Sequence, residues 1–305
     1  MIKKNSRKGL VNAFWDRSRL LNLRNKKYYN FVNEFFIEKL KDDNIKKDIT
    51  TNALIKNKTV DAKIIAKESG IVSGIEEISL LLRKFKVIDK KKDGTKVKKN
   101  EVILEIRGNA KKLLGLERTA LNVLQRMSGI ATLTDNLDKK AGKCRIATTR
   151  KTLWGLLDKK AVSSGKGLTH RLDLSDGILI KDNHLKILDN DLKKALKLIN
   201  KNKYIEIEVN NSKQAVEVAT IINEFKRDKS NKLFAIMFDN MPPLDIKNTM
   251  KEINNLNKKN NILFEASGNI DEKNIKKYSN TGVDVISLGF LTHSSKSLDI
   301  SLKIK

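Results

Sequence analysis

The sequence predicts a parallel α/β fold of the barrel type, and two observations carry that expectation. Beyond residue 140, short β-like runs (CRIATT, GILI, YIEIEV, KLFAIMF, NILFEAS, DVISL) alternate with helix-like stretches such as TLWGLLDKKAVSS, NDLKKALKLIN, SKQAVEVATIINEFK and DEKNIKKYSN. That alternation argues for parallel strands joined by crossover helices. The runs also leave into polar segments: TRKT, KDNH, the glutamates of YIEIEV, DN, SGN and GFLTHS. Barrels place reacting groups at the ends of several strands, whereas an open doubly wound sheet concentrates them at one switch point. Six polar exits in succession favour the barrel.

The first part of the chain reads differently. Residues 1–40 are helical and amphipathic, with Phe14, Leu20, Tyr28, Phe31, Phe35 and Phe36 as the apolar stripe, which suits packing against a core or a second subunit. From Asp48 to Gly108 short strands follow: DAKIIAKESGIVSGI alternates, and KDGTKVKKNEVILEIRG carries a DG turn signal. The latter resembles the turn-and-strand pattern of a biotinyl-type module but has no modifiable lysine motif, so it reads as structural. Residues 113–141 then read as helix, with Leu116, Ala120, Leu124 and Met127 at helical spacing.

Composition narrows the function. At 305 residues the chain has ample length for a core, and no apolar run approaches a membrane span. The basic N-terminus lacks the apolar stretch of a secretory signal. The single Cys144 excludes an internal disulfide framework and suits a reducing compartment, so a cytoplasmic protein without a membrane partner is expected. The formal charge of +27 raises nucleic acid as a partner. However, lysine is spread over the whole chain and aromatics make up only 5%, too few to interleave as a stacking platform. The charge reads as a solvated face, and no specific nucleic-acid partner is expected.

The polar exits gather candidates for chemistry. Arg150 and Lys151 follow one run, His170 and Arg171 precede GILI, and Lys181 follows it. Cations converging on one barrel mouth are costly to desolvate unless an anion neutralises them, which points to a substrate with several negative charges. Arginine's fork suits carboxylates and lysine's point charge suits phosphate. Glu208 and Asp239 end consecutive runs, with Glu206 one alternation earlier on the same strand face. They serve either as partners of those cations or as a carboxylate pair for Mg²⁺. Nothing resembles a zinc site. Ser267, Gly268 and Asn269, with Gly289 and Phe290, follow the last two runs, where backbone N–H groups commonly hold phosphate. His293 and Ser294 either add donors there or cap the next turn. Arg118, in ERTALN, is by itself either a surface helix cation or a site residue.

Taken together, ERTALNVLQRMSGIAT, TRKT, THRLDLSDGILIKDNH, EIEV, FDNM, EASGNI and GVDVISLGFLTHS resemble the quinolinate phosphoribosyltransferase family, from DITTNAL to LDISL. The resemblance implies an N-terminal α/β sandwich domain (1–117, joined by 291–305) and an incomplete, seven-stranded α/β barrel (118–290). It implies transfer of phosphoribosyl from phosphoribosyl pyrophosphate to quinolinate with decarboxylation, giving nicotinate mononucleotide, pyrophosphate and CO₂ in NAD biosynthesis. Mg²⁺ is the implied cofactor, and a homodimer or higher assembly with a shared active site is the implied state. In that frame Arg118 is the arginine a neighbouring subunit extends into the site. Arg150, Lys151, His170, Arg171 and Lys181 form the cationic wall. Glu208 and Asp239 lie near the ribose and Mg²⁺, and Ser267, Gly268, Asn269, Gly289 and Phe290 hold the 5′-phosphate. Lys151, Lys181, Glu208 and Asp239 are the implied catalytic set. Asp182, Asn183 and His184 are expected to orient their neighbours and meet pyrophosphate.

Departures from the family pattern are Leu153 and Trp154 in TRKTLWG, Lys166 in GKG, and Phe290. Trp154 and Lys166 bear on how closely loops approach the substrate, and so on substrate choice. Alternative functions are a related enzyme acting on nicotinate or another aromatic acid, and a basic nucleic-acid-binding protein on this scaffold. A single carboxylate would leave part of the cationic wall unpaired, which disfavours nicotinate.

Overall fold

The computed structural model describes residues 6–199, 203–227, 232–256 and 262–305. The first five residues of the expected N-terminal helix, and Asn200 and Asn261 at the ends of two expected segments, lie outside them. Among the described residues no helix is long and apolar enough to cross a membrane.

By its contacts the chain forms two units, Ser18–Asn136 with Thr152–Gly167 and Leu291–Lys305, and Met1–Arg17 with Leu137–Lys151 and Leu168–Phe290. This division differs from the expected boundary at 117/118, for two physical reasons. The helix Ala110–Ala141 runs unbroken through that position. It is tied to the first unit by its own hydroxyls: Ser128 Oγ accepts from Ser73 N at 3.0 Å and Thr132 Oγ1 from Ile71 N at 2.8 Å. Residues 6–17 go the other way because helix Arg7–Trp15 buries Val11, Phe14 and Trp15 among strand residues of the second unit.

The first unit carries strands β1 (Thr59–Ala66), β2 (Gly70–Ile71), β3 (Lys86–Lys90), β4 (Lys96–Val97) and β5 (Val102–Asn109). In β1 the period-2 pattern puts Ala62, Ile64 and Ala66 in the core. The antiparallel sheet runs from strand Ile300–Ile304 through β1 and β5 to β3. The chain's last segment therefore returns to this unit, with Ala62 opposite Ile304 and Ala66 opposite Ile300. The DG signal forms its turn, with Gly94 at φ +82°.

The second unit is parallel. Strands β6 (Arg145–Thr148), β7 (Ile178–Ile180), β8 (Tyr204–Val209), β9 (Leu233–Asp239), β10 (Leu263–Ser267) and β11 (Val285–Leu288) form one sheet, ordered β6-β11-β10-β9-β8-β7. A parallel bridge from Ala147 to Leu168 adds a seventh position beyond β6. In chain order those seven run in a circle broken between Leu168 and β7, which is an incomplete barrel. The glutamate-bearing β8 is central, pairing β7 and β9. Helix Pro243–Leu256 lies between β9 and β10, in keeping with the alternation. It opens on Pro243, whose missing N–H costs nothing in a first turn.

Candidate active site

The sheet delivers the strand-exit residues to one place. Arg150, Lys151, His170, Arg171, Lys181, Glu208, Asp239, Ser267, Gly268 and Asn269 all line a cleft of 550 Å³. Glu208 and Asp239 also face an adjoining hollow lined by Asp182, Lys186 and Gln214. Gly289 and Phe290 are not among the cleft-lining residues. Gly289 follows β11, and Phe290 opens the short helix Phe290–His293. Arg118 lies exposed on helix Ala110–Ala141 in the other unit. Trp154 and Lys166 belong to that unit too. Trp154 packs on Phe35 (ring centroids 5.2 Å) and on the Arg126 guanidinium, and Lys166 Nζ reaches Asp135 at 3.2 Å.

Lys181 Nζ donates to Glu208 Oε2 at 2.7 Å. Its backbone N–H donates to His184 Nδ1 at 3.0 Å, in the first turn of helix Asp182–Ile187. His184 thus bonds the lysine's backbone, and Asp182 pairs with Lys186. Asp182, Asn183 and His184 are exposed and none lines the 550 Å³ cleft.

Arg171 is half-buried, and burial first, then the neighbouring Arg150 guanidinium, press its pKa below the ordinary arginine value. Two guanidiniums thus share the cleft, each within the other's field. At the end of β10 a tight turn closes one wall. Gly268 has φ +94°, and a Cβ there would come within 2.4 Å of Asn240 Oδ1, so only glycine fits. Asn240 bridges this turn to Asp239: its N–H donates to Ser267 O (2.8 Å), its Nδ2 to Asp239 Oδ2 (2.9 Å), and its Oδ1 accepts from Asn269 Nδ2 (2.9 Å). The sequence reading passed over Asn240. Its signal was present in the DN exit.

Three residues not joined by the sequence pattern meet at the cleft wall, which His170 and Glu265 line. Glu206 and Glu265 are buried, and His170 Nε2 lies 3.1 Å from Glu265 Oε2 and 3.4 Å from Glu206 Oε2. Burial raises both carboxyls, Glu206 well above its ordinary value with help from the Glu265 charge, and Glu265 to about 7. Ligand atoms of the three lie within 4.8 Å of one another, a spacing that can suit a metal. However, His170 Nδ1 accepts the Arg171 N–H at 2.8 Å, which leaves the ring proton on Nε2. The imidazole therefore presents a donor to the carboxylates, not a lone pair. His170 does not join the cationic wall as expected, because both ring nitrogens are spent inside the protein.

An open parallel barrel with converging strand-end cations, two carboxylates and a glycine turn defines an α/β-barrel enzyme for polyanionic substrates. The comparisons with known proteins agree. Profiles described as the N-terminal and C-terminal domains of quinolinate phosphoribosyl transferase match residues 48–128 and 130–303. The chain belongs to the quinolinate phosphoribosyl transferase family. It is 42% identical over 271 residues to a probable nicotinate-nucleotide pyrophosphorylase [carboxylating] of Methanocaldococcus jannaschii, covering 84% of this chain and 91% of that one. It is 39% identical over 288 residues to the protein of the same name in Bacillus subtilis, covering 90% and 92%. The crystal structure of the nicotinate-nucleotide pyrophosphorylase from Ehrlichia chaffeensis superposes with a TM-score of 0.78 at 35% identity, covering 90% of this chain and 98% of that one.

Proposed function

We propose that this chain transfers phosphoribosyl from phosphoribosyl pyrophosphate to quinolinate and decarboxylates the product, yielding nicotinate mononucleotide, pyrophosphate and CO₂ for NAD biosynthesis in the cytoplasm. The observation that carries the reading is one cleft lined together by Arg150, Lys151, Arg171, Lys181, Glu208 and Asp239. Quinolinate brings two carboxylates and phosphoribosyl pyrophosphate more charge still, so the cleft needs several cations. Arginine forks take the carboxylates, and the lysines meet the pyrophosphate. As pyrophosphate leaves ribose C1, positive charge builds on the sugar, and Glu208 and Asp239 are placed to stabilise it. The pyridine nitrogen bonds to C1 as the C1–pyrophosphate bond breaks; when the adjacent carboxylate departs as CO₂, the electron pair left on the ring carbon is stabilised by the neighbouring pyridinium charge and takes up a proton from water. No covalent enzyme intermediate is needed. Positioning and electrostatics carry the rate. The turn at Ser267, Gly268 and Asn269 offers its backbone to the 5′-phosphate.

Glu208 and Asp239 bring hard carboxylate oxygens to the cleft lining, which fits Mg²⁺, an ion that takes oxygen ligands and shares them with substrate phosphates. When bound, it would neutralise pyrophosphate charge. Exposed Arg118 is read as reaching the cleft of a second subunit in a homodimer.

Purified protein with Mg²⁺ and phosphoribosyl pyrophosphate should release pyrophosphate and CO₂ with quinolinate and not with nicotinate. Turnover with nicotinate alone would overturn the reading. For the shared site, Arg118→Ala subunits mixed with Lys181→Ala subunits should recover part of the activity. Mixed dimers without recovery would count against it.

A further inference from the structure

Helix Arg7–Trp15 precedes both matched family regions, which begin at residue 48. Its apolar face buries Val11, Phe14 and Trp15 against Leu263 and Val285, the first residues of β10 and β11. The helix is clamped there. Arg7 donates to both Asp284 oxygens (2.6 and 2.5 Å), and Asn12 Oδ1 accepts from Arg145 at 3.2 Å.

From this seat, residues 15–17 hold the loop that carries Arg171. Trp15 Nε1–H donates to Glu206 Oε1 at 3.2 Å, and Trp15 O accepts the His170 N–H at 2.7 Å. Arg17 N–H donates to Thr169 Oγ1 (2.7 Å), and Arg17 Nε to Asp176 Oδ1 (2.8 Å), so the loop is held at both ends. His170 sits at φ +54°, a sparsely populated region that persists only where surrounding bonds over-determine it. Its ring joins the buried carboxylates to the Arg171 N–H.

We propose that the N-terminal helix is a positioning element of the active site: Trp15, through Glu206 and the His170 main chain, sets the loop that aims Arg171 at the anionic substrate, with His170 as a neutral linker. Arg171 faces Arg150 in the cleft, so with no anion bound the two repel. A loop fixed from beneath keeps Arg171 in place and spares the substrate the cost of ordering it. Coupling of this kind is reciprocal, so an anion in the cleft must be felt at Trp15. The inference rests on the quinolinate reading only through its kinetic readout.

The test uses full-length protein labelled with 5-fluorotryptophan, which reports Trp15 and Trp154 alone. The Trp15 ¹⁹F resonance, assigned by its loss in Trp15→Phe, should shift in proportion to bound quinolinate and to bound inorganic pyrophosphate. Trp15→Phe keeps an aromatic ring in the apolar cluster and loses the indole N–H, and should raise KM for quinolinate by about tenfold with kcat changed by less than about threefold. His170→Asn puts an amide oxygen where Nδ1 accepts and tolerates positive φ, whereas His170→Gln keeps only the outer donor. Asn should raise KM by about threefold and Gln by about tenfold or more. A Trp15 signal unmoved at saturating pyrophosphate, or Trp15→Phe with a lowered Tm and wild-type KM, reduces the helix to packing and overturns the proposal. If wild-type protein turns over no quinolinate, the functional reading fails instead, and the pyrophosphate titration still decides this one.

Discussion

Lys181 Nζ and Glu208 Oε2 stand 2.7 Å apart, joining the exits of two neighbouring strands, β7 and β8. The lysine side chain is 45% exposed, and so open a pair contributes at most about 1 kcal/mol to stability. Its place at the cleft matters more than its energy. Lys181→Ala should leave the unfolding midpoint nearly unchanged and lower turnover by about 10²–10³-fold. Adding Glu208→Gln should not restore activity. Equal losses of activity and stability in Lys181→Ala would contradict the assignment.

Asp158 is the polar centre of the first unit. It is fully buried, accepts both Arg126 N–H groups at 2.8 and 2.7 Å, and accepts the Leu153 and Trp154 N–H groups at 2.9 and 3.0 Å. Asp158→Ala strands the Arg126 charge and two backbone donors, and should cost about 3–5 kcal/mol in chemical denaturation. Arg126→Met added to it should recover part of the loss, because the stranded charge is then gone.

What was legible in the sequence, and what was not, follows from range. Strands whose exits bear charge were legible because period-2 runs and polar ends are local signals, and the cleft gathers Arg150, Lys181, Glu208 and Asp239 from four such exits. Glu206 and Glu265 were not joined to His170, because spacing says nothing about which strands become neighbours. Their contact depends on a fold that brings residues 95 apart within 3.1 Å. Trp15 was not singled out in the sequence, since an aromatic in an amphipathic helix carries no mark of the carboxylate its N–H meets. His170 was read as a cation because a His-Arg pair looks basic, and only the Arg171 N–H bond to Nδ1 reveals a neutral ring.

Glu77 makes stability depend on pH. It is buried and accepts the Tyr28 O–H at 2.7 Å, and burial, then the Asp93 charge, push it from 4.5 up to about 7. Between those values the folded chain holds a proton that the unfolded chain has released. Its favourable contribution is therefore complete below about pH 4.5 and is lost as pH rises through about 7. Glu77→Gln keeps an acceptor for Tyr28 without the charge, and should be more stable than wild type by about 1–3 kcal/mol at pH 8, with the gap closing toward pH 5. A gap that stays constant in denaturant titrations across that range would contradict the assignment.

Two glycines of helix Ala110–Ala141 should answer the same substitution with opposite signs. A Cβ on Gly115 would meet only Ile45 Cβ at 3.9 Å, so Gly115→Ala should gain about 0.5–1 kcal/mol from reduced unfolded-state freedom. A Cβ on Gly129 would come within 2.0 Å of Lys296 O and 2.9 Å of the same residue's carbonyl carbon. Lys296 belongs to the chain that returns toward strand Ile300–Ile304, where Leu298 N–H donates to Gln125 O at 2.9 Å. Backbone cannot yield there as a side-chain end would, so Gly129→Ala should push the returning segment off the helix and lose about 1–3 kcal/mol. Thermal unfolding of the two variants beside wild type measures both signs. A stabilised Gly129→Ala would mean that the C-terminal segment is not held against this helix.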